Sequence, residues 1–198
     1  CLIEDNIFRI GKALFDISFD TFKINDLKIY KNHLELIGDL FINSSGGYFY
    51  LVRLVGNHFI NSLYGGGRTF NISNTSPVGY ILEQDNTYYK IDQTVIDAAI
   101  TAYSASGYTA ATPKYDPMGA LISKYSTYPT KFDVIGNKYY TGGWADEYFN
   151  LTGVECNFIG NKFIIDTLNY TKFFDLATCN AQFINNDVVL GSVPGTTE

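Results

Sequence analysis

The sequence has few residues of the types that build metal centres, disulfide frameworks and nucleophilic active sites. Its 198 residues include only three cysteines and two histidines. Cys1, Cys156 and Cys179 are an odd, scattered set, which argues against a disulfide framework and against a zinc site. His33 and His58 lie in strand-like segments, where a surface or edge position is the simpler interpretation. Nucleophile-elbow, zinc-protease and phosphate-loop motifs are also absent. We therefore predict no catalytic residue, no metal and no cofactor.

Positive charge is sparse as well. Fourteen Lys and Arg stand against 20 Asp and Glu, which gives a formal net charge of −6. The basic residues form no run or stripe, so the phosphate-binding surface of a nucleic-acid partner is not expected. There is no run of 18 apolar residues, so no membrane-spanning segment is predicted either.

Aromatic residues and asparagine are abundant instead. The chain contains 16 Tyr, 15 Phe and 17 Asn, while charged residues make up only 17%. Aromatic side chains pack well on pleated sheets, and Asn and Gly tolerate the positive φ angles of tight turns. This composition favours a mainly β protein with many turns.

A short motif recurs near the C-terminus. The segment VIGNKYY at 134–140 returns as FIGNKFI at 158–164, and a looser FINNDVV follows at 183–189. A period of about two dozen residues is typical of a solenoid, in which each coil buries its apolar face only against its neighbours. The motif therefore predicts a stack of similar coils.

The Asn within the motif is expected at a bend between two strands. If the coils stack, Asn137, Asn161 and Asn186 should form one hydrogen-bonded column. In the same alignment Cys156 and Cys179 are interpreted as small apolar core residues rather than as a disulfide pair.

Three regions can be separated along the chain, and we interpret them as one composite domain. Residues 1–75 and 132–198 have the pattern of short strands. Residues 76–131 are predicted to be a helical insertion, because 94–105 carries an apolar helical stripe and 116–126 begins with Asp-Pro, an N-cap signal. In the first region, 36–47 and 54–67 resemble each other around a shared Phe-Ile-Asn-Ser.

Three short strands in each coil, with Asn at the bend, resemble the right-handed parallel β-helix of phage tailspikes and pectate-lyase-like enzymes. The resemblance covers 132–190 well, covers 24–75 loosely and fails across 76–131. It implies a β-solenoid. The alternative is an antiparallel β-sandwich or jelly roll, in which Gly-Asn would form the turn of each hairpin.

One segment, YYTGGWADEYF at 139–149, combines aromatic and acidic residues and includes the only Trp. Aromatic faces stack on sugar rings, and carboxylates accept hydrogen bonds from sugar hydroxyls. We therefore predict a ligand-binding site for a glycan receptor, with the alternative that this loop packs on the body or on a neighbouring subunit. The predicted ligand-binding residues are Tyr139, Tyr140, Trp144, Asp146, Glu147 and Tyr148.

These observations favour a non-enzymatic structural or adhesion protein of a virion or cell surface. It would lie outside the cell and assemble as a homo-oligomer or with other structural subunits, because abundant exposed aromatics are typical of subunit contacts. One alternative is a polysaccharide lyase or glycoside hydrolase on the same scaffold. A second is a surface binding module lipidated at Cys1.

Overall fold

A computed structural model describes most of the chain. The described residues are 1–17, 23–43, 48–60, 68–72, 78–89, 101, 119–123, 130–141, 147–165 and 172–190. They form 19 strands, and every described strand pair is parallel. The predicted β-solenoid is therefore confirmed, and the antiparallel alternative is excluded because it needs antiparallel hairpins.

The first sheet, which we call sheet A, takes one strand from each coil in chain order. Its strands are β1 (Leu2–Glu4), β4 (Leu27–Tyr30), β6 (Tyr48–Val55), β9 (Val78–Gln84), β12 (Lys131–Ile135), β15 (Glu155–Ile159) and β18 (Asn180–Ile184), with the short β3 (Lys23–Ile24) paired beside β6.

The second sheet, sheet B, starts from two long strands and divides into two arms. The long strands are β2 (Ile7–Ile17) and β5 (His33–Asn43). One arm continues from the start of β5 through β7 (His58–Ile60), β10 (Thr87–Tyr89), β13 (Lys138–Thr141), β16 (Lys162–Ile165) and β19 (Asp187–Leu190). The other continues from its end through β8 (Arg68–Ile72), β11 (Gly119–Ser123), β14 (Glu147–Thr152) and β17 (Lys172–Ala177).

The same two-residue corner joins sheet A to sheet B in every coil. Its first residue has a positive φ, from 51° at Asn185 to 65° at Gly56, and its second residue is Asn. The left-handed conformation turns the chain sharply, and Gly, Asn and Asp adopt it at the least cost. The corner asparagines are Asn6, Asn32, Asn57, Asn86, Asn137, Asn161 and Asn186.

These asparagines form a continuous ladder through the stack. The backbone N–H of Asn137 donates to Oδ1 of Asn161 over 2.9 Å, and the Asn161 N–H donates to Oδ1 of Asn186 over 3.0 Å. The Nδ2 of Asn161 also donates to the carbonyl of Val134 in the preceding coil, at 2.8 Å. The same pattern repeats from Asn6 onward. The predicted column of Asn137, Asn161 and Asn186 is thus confirmed and extends to seven rungs.

Between the sheets, equivalent residues of successive coils stack into apolar columns. One column contains four parallel rings with centroids 4.6 to 5.0 Å apart: Phe59, Tyr88, Tyr139 and Phe163. Another brings Phe158 onto Phe183 at 4.9 Å. Stacked aromatic pairs contribute about 0.5–1.5 kcal/mol beyond the area they bury. The interior is therefore a set of aromatic and aliphatic ladders that follow the stacking direction.

The helical insertion is wrong at both of its ends. Residues 78–89 form β9 and β10, and Gly119–Ser123, inside the second predicted helix, forms β11 between β8 and β14. Pairing on both sides outweighs the local helix signal of Asp-Pro. The first predicted helix lies outside the described residues except for Thr101, which is helical.

The resemblance between 36–47 and 54–67 does not follow the strand pairing. Alignment on the shared motif matches Phe41 to Phe59, whereas the structure pairs Phe41 with Phe70 and places Leu34 beside Phe59.

Replacing a ladder asparagine should strongly destabilise the fold. In Asn137→Ala, the Asn86 N–H and Nδ2 lose their shared acceptor and the Glu83 carbonyl loses its donor, all in the interior. Unsatisfied buried groups cost about 1–3 kcal/mol each, so we expect a loss of about 4 kcal/mol in the free energy of unfolding. Urea denaturation measures this loss. The exposed Asn180→Ala is the control, with an expected loss under about 0.5 kcal/mol. Equal losses in the two variants would refute the ladder's importance.

Candidate functional site

The outward face of sheet A carries polar side chains that lie in register along the stack. Along β12, Phe132 and Val134 are buried inward, so Lys131, Asp133 and Ile135 project outward. Parallel pairing aligns outward residues of neighbouring coils, with adjacent strands about 4.8 Å apart. One outward column runs Lys28, Arg53, Leu82, Asp133, Asn157 and Gln182, and the next runs Leu51, Tyr80, Lys131, Glu155 and Asn180.

Asp133 is the centre of this face. Its Oδ2 accepts a hydrogen bond from the Tyr80 hydroxyl at 2.7 Å, and its Oδ1 accepts one from Asn157 Nδ2 at 2.7 Å. Lys131 Nζ lies 3.3 Å from Oδ2 and 5.5 Å from the centre of the Tyr80 ring. These neighbours leave Asp133 only 7% exposed although it faces outward. We call Tyr80, Lys131, Asp133 and Asn157 the Asp133 cluster.

The hydroxyl of Tyr80 is a fixed proton donor in this cluster. Burial raises the pKa of Tyr80 to about 12, and the hydrogen bond to Asp133 and the charge of that carboxylate act in the same direction. The phenol therefore stays protonated at physiological pH and donates its hydrogen bond to Asp133.

A second charged group lies two strands away on the same face. Asp26 Oδ2 is 3.1 Å from the Arg53 guanidinium and 3.4 Å from Lys28 Nζ. Asp26 Oδ1 and Arg53 Nε are enclosed and, within the described part of the chain, have no hydrogen-bond partner. This ion pair is therefore less completely hydrogen-bonded than the Asp133 cluster.

The structure does not assemble the six residues of the predicted glycan site into one described surface. Tyr139 is 1% exposed and belongs to the interior ring column, where no external ligand reaches it. Tyr140 follows it on β13 and is half-buried. Glu147 and Tyr148 lie on β14, but their side chains are outside the described part of the structure, as are Trp144 and Asp146 altogether. For these five residues the ligand-binding role stays a prediction.

A buried carboxylate in the core was not predicted from the sequence. Glu83 is 1% exposed and occupies the inward column between Leu54 and Val134. Its Oε2 accepts the hydroxyls of Tyr88 at 3.0 Å and Tyr139 at 3.1 Å. Aligning the corner Asn86 with Asn57 and Asn137 would have placed Glu83 in an apolar column, which is the signal that was missed.

The cysteines are free thiols. Cys156 is fully buried, and Cys179 is half-buried and packs against the core, as the sequence predicted. Burial raises the pKa of the Cys156 thiol to about 12, and the adjacent Cys179 adds to this effect. Cys156 is thus kept as a neutral thiol in the interior.

The described residues contain no group of three or more His, Cys, Asp or Glu side chains arranged to hold a metal ion. They also contain no helix with the length and apolar character needed to cross a membrane.

Comparison of the chain with protein-family models, with curated proteins and with solved structures gives no match. The fold and the outward face of sheet A therefore have to be interpreted from their own chemistry.

The raised pKa of Tyr80 predicts a specific loss of stability at alkaline pH. Because its folded pKa of about 12 exceeds the unfolded value of 10, its contribution is complete below pH 10 and is lost as the pH rises towards 12. In Tyr80→Phe, thermal unfolding between pH 10 and 12 should depend less steeply on pH than in the native protein. Ultraviolet titration should lose one phenol that ionises near pH 12. An unchanged titration curve would contradict the assignment.

Glu83 should be indispensable only while its two tyrosines are present. Glu83→Leu leaves the hydroxyls of Tyr88 and Tyr139 without their shared acceptor, and we expect a loss of about 3 kcal/mol in unfolding free energy. Adding Tyr88→Phe and Tyr139→Phe should recover most of this loss, since Phe59 and Phe163 already occupy the same column. Urea denaturation of the single and triple variants measures the difference. Losses that simply add would show that the three residues do not act as a unit.

Proposed function

We propose that the chain is a non-enzymatic structural or adhesion protein of a virion or cell surface that binds an extended glycan along the outward face of sheet A. The observation that carries the proposal is the in-register alignment of hydrogen-bonding side chains on this face. A polymer of sugar units presents hydroxyl and carboxylate groups at regular intervals, which suits a rigid surface of regularly spaced partners.

The Asp133 cluster and the Asp26 group supply three cations that suit an acidic glycan, Lys28, Arg53 and Lys131. Three carboxylates balance them, Asp26, Asp133 and the exposed Glu155 beside Lys131. Within the ion pairs the cation is the more exposed side chain, at 44% for Lys131 against 9% for Asp133 and 38% for Lys28 against 30% for Asp26. Cations held by a neighbouring carboxylate lose less side-chain entropy when they bind an anion.

The aromatic residues of the same region suit sugar rings. Tyr50 is 54% exposed on β6, and its ring meets Tyr48 edge-on with centroids 4.3 Å apart. On the adjacent strand, Gly79 lies so close that an added Cβ would sit 2.8 Å from the Tyr50 carbonyl oxygen. The missing side chain at Gly79 thus lets β6 and β9 approach beside an exposed aromatic surface.

A binding experiment tests the proposal with polygalacturonate as the acidic polymer and dextran as the neutral one. We expect polygalacturonate to bind the native chain, and Arg53→Gln with Lys131→Gln to weaken binding about tenfold, equivalent to about 1.4 kcal/mol. Lys138→Gln with Lys162→Gln is the matched control, because these exposed lysines are the first residues of β13 and β16 and belong to sheet B. Equal weakening by the two pairs would indicate non-specific charge attraction and refute the site.

The Asp133 cluster also supports a second candidate, a polysaccharide lyase or hydrolase. It places a lysine beside a carboxylate and a phenol, and such enzymes use groups of these types as acids and bases. Against this, both Asp133 oxygens are already occupied and Tyr80 holds its proton. Release of unsaturated or reducing ends from polygalacturonate, lost in Asp133→Asn, would establish the enzyme and overturn our preference.

A further inference from the structure

At each end of the described stack, the inward columns end in apolar side chains that no further coil covers. At the last coil Phe183 is 50% exposed and Val188 is 55% exposed. At the first coil Ile3 and Phe8 are half-buried inward residues. Register places Ile3 and Phe183 at opposite ends of one inward column, and Phe8 and Val188 at opposite ends of another.

The asparagine ladder is directional, so its ends differ. Each corner Asn donates its backbone N–H to Oδ1 of the Asn in the following coil. Within the described residues, the N–H of Asn186 therefore remains a donor without an acceptor, and Oδ1 of Asn6 remains an acceptor without a donor. One end of the molecule supplies what the other lacks.

We propose that the chain stacks end to end on copies of itself, with the first coil of a second copy seated on the last coil of the first. Asn186 N–H then donates to Oδ1 of Asn6 in the second copy. Asn6 Nδ2, which donates to the Glu4 carbonyl of its own coil, shares that bond with the Phe183 carbonyl, as Asn32 Nδ2 donates to both the Tyr30 and the Ile3 carbonyls. The ladder continues across the junction with the bonds it already uses.

The corner geometry of the two ends agrees. The residue before the ladder Asn has φ of 56° at Asp5 in the first coil and 51° at Asn185 in the last. The two corners therefore have the same bend, and each interior pair of coils shows how such corners stack. No backbone rearrangement is needed for the junction.

The outward residues of sheet A and of the arm that ends at β19 do not repel each other at the junction. Continuing their columns places Ile7 of the second copy on Asp187, Glu4 on Ile184 and Asp5 on Asn185. In the arm that ends at β17, the same continuation places Asp16 beside Asp175, and this pair of carboxylates opposes the contact. The apolar surfaces of Ile3 and Phe8 cover Phe183 and Val188. A second copy thus satisfies the hydrogen bonds and the exposed apolar side chains together.

Sedimentation equilibrium of the 198-residue chain tests the assembly. We expect the weight-average mass to rise with protein concentration beyond twice the 22.1 kDa monomer, because head-to-tail contacts do not close after two copies. Val188→Lys places a charge in the junction and should reduce the mass to that of the monomer. Tyr50→Lys is the control, since Tyr50 is equally exposed (54%) but lies on the side of the stack.

Disulfide trapping tests the orientation of the contact. Phe8→Cys and Val188→Cys are combined with Cys1→Ser, which removes the exposed native thiol. The two substituted positions lie six coil spacings apart, about 29 Å, so they cannot join within one molecule. Oxidation by air should give a series of disulfide-linked multimers under denaturing electrophoresis, while either cysteine substitution alone should stop at a dimer or monomer.

Three results would overturn the proposal. The chain could stay monomeric at every concentration, which would show that the two ends do not associate. It could stop at a dimer, which would indicate a closed contact of another kind. Val188→Lys and Tyr50→Lys could also have the same effect on mass.

Binding of a short polygalacturonate fragment to Val188→Lys separates this proposal from glycan binding, because the outward face of sheet A is not part of the junction.

Discussion

The hydrogen bond from one corner asparagine to the next is the constraint on which the rest of the fold depends. At each corner the chain reverses from sheet A to sheet B, and the backbone groups there are buried. Buried amide groups must be paired. Backbone bonds between coils pair the residue before each Asn, as when the Gly136 N–H donates to the Ile159 carbonyl, but the N–H of the Asn itself has a side-chain acceptor, Oδ1 of the next corner Asn. The carboxamide of Asn provides both an acceptor and two donors at the same place in every coil. Stacking one coil on the next therefore satisfies each corner.

Once the corners are fixed, the faces of both sheets are fixed with them. Strand alternation sends every second residue into the columns between the sheets, and parallel pairing repeats this choice in every coil. An inward position accepts a carboxylate only with compensating donors, which Tyr88 and Tyr139 supply to Glu83. Outward positions have no such restriction, so the outward face of sheet A can vary. The polar cluster at Asp133 uses this freedom.

The amino-acid pattern predicted the stack where its corner residues are conspicuous and failed where they are not. The Gly-Asn steps at 136–137 and 160–161 disclose the period, whereas Asp5-Asn6, Lys31-Asn32 and Asp85-Asn86 place other residues at the positive φ position. The strand at 119–123 has no corner of its own and a local helix signal, so only long-range pairing identifies it. The Asp133 cluster joins residues up to 53 positions apart. No local pattern predicts that contact.

The direction of the ladder also limits how the molecule can associate. A two-fold axis through either end would place donor against donor or acceptor against acceptor, so closed end-to-end dimers are disfavoured. Only a repeated translation along the stack joins unlike ends. In such an assembly the outward face of sheet A would continue from one copy to the next, and a long polymer could contact several copies at once. Each contact after the first would then be intramolecular, so weak individual sites would still hold an extended ligand.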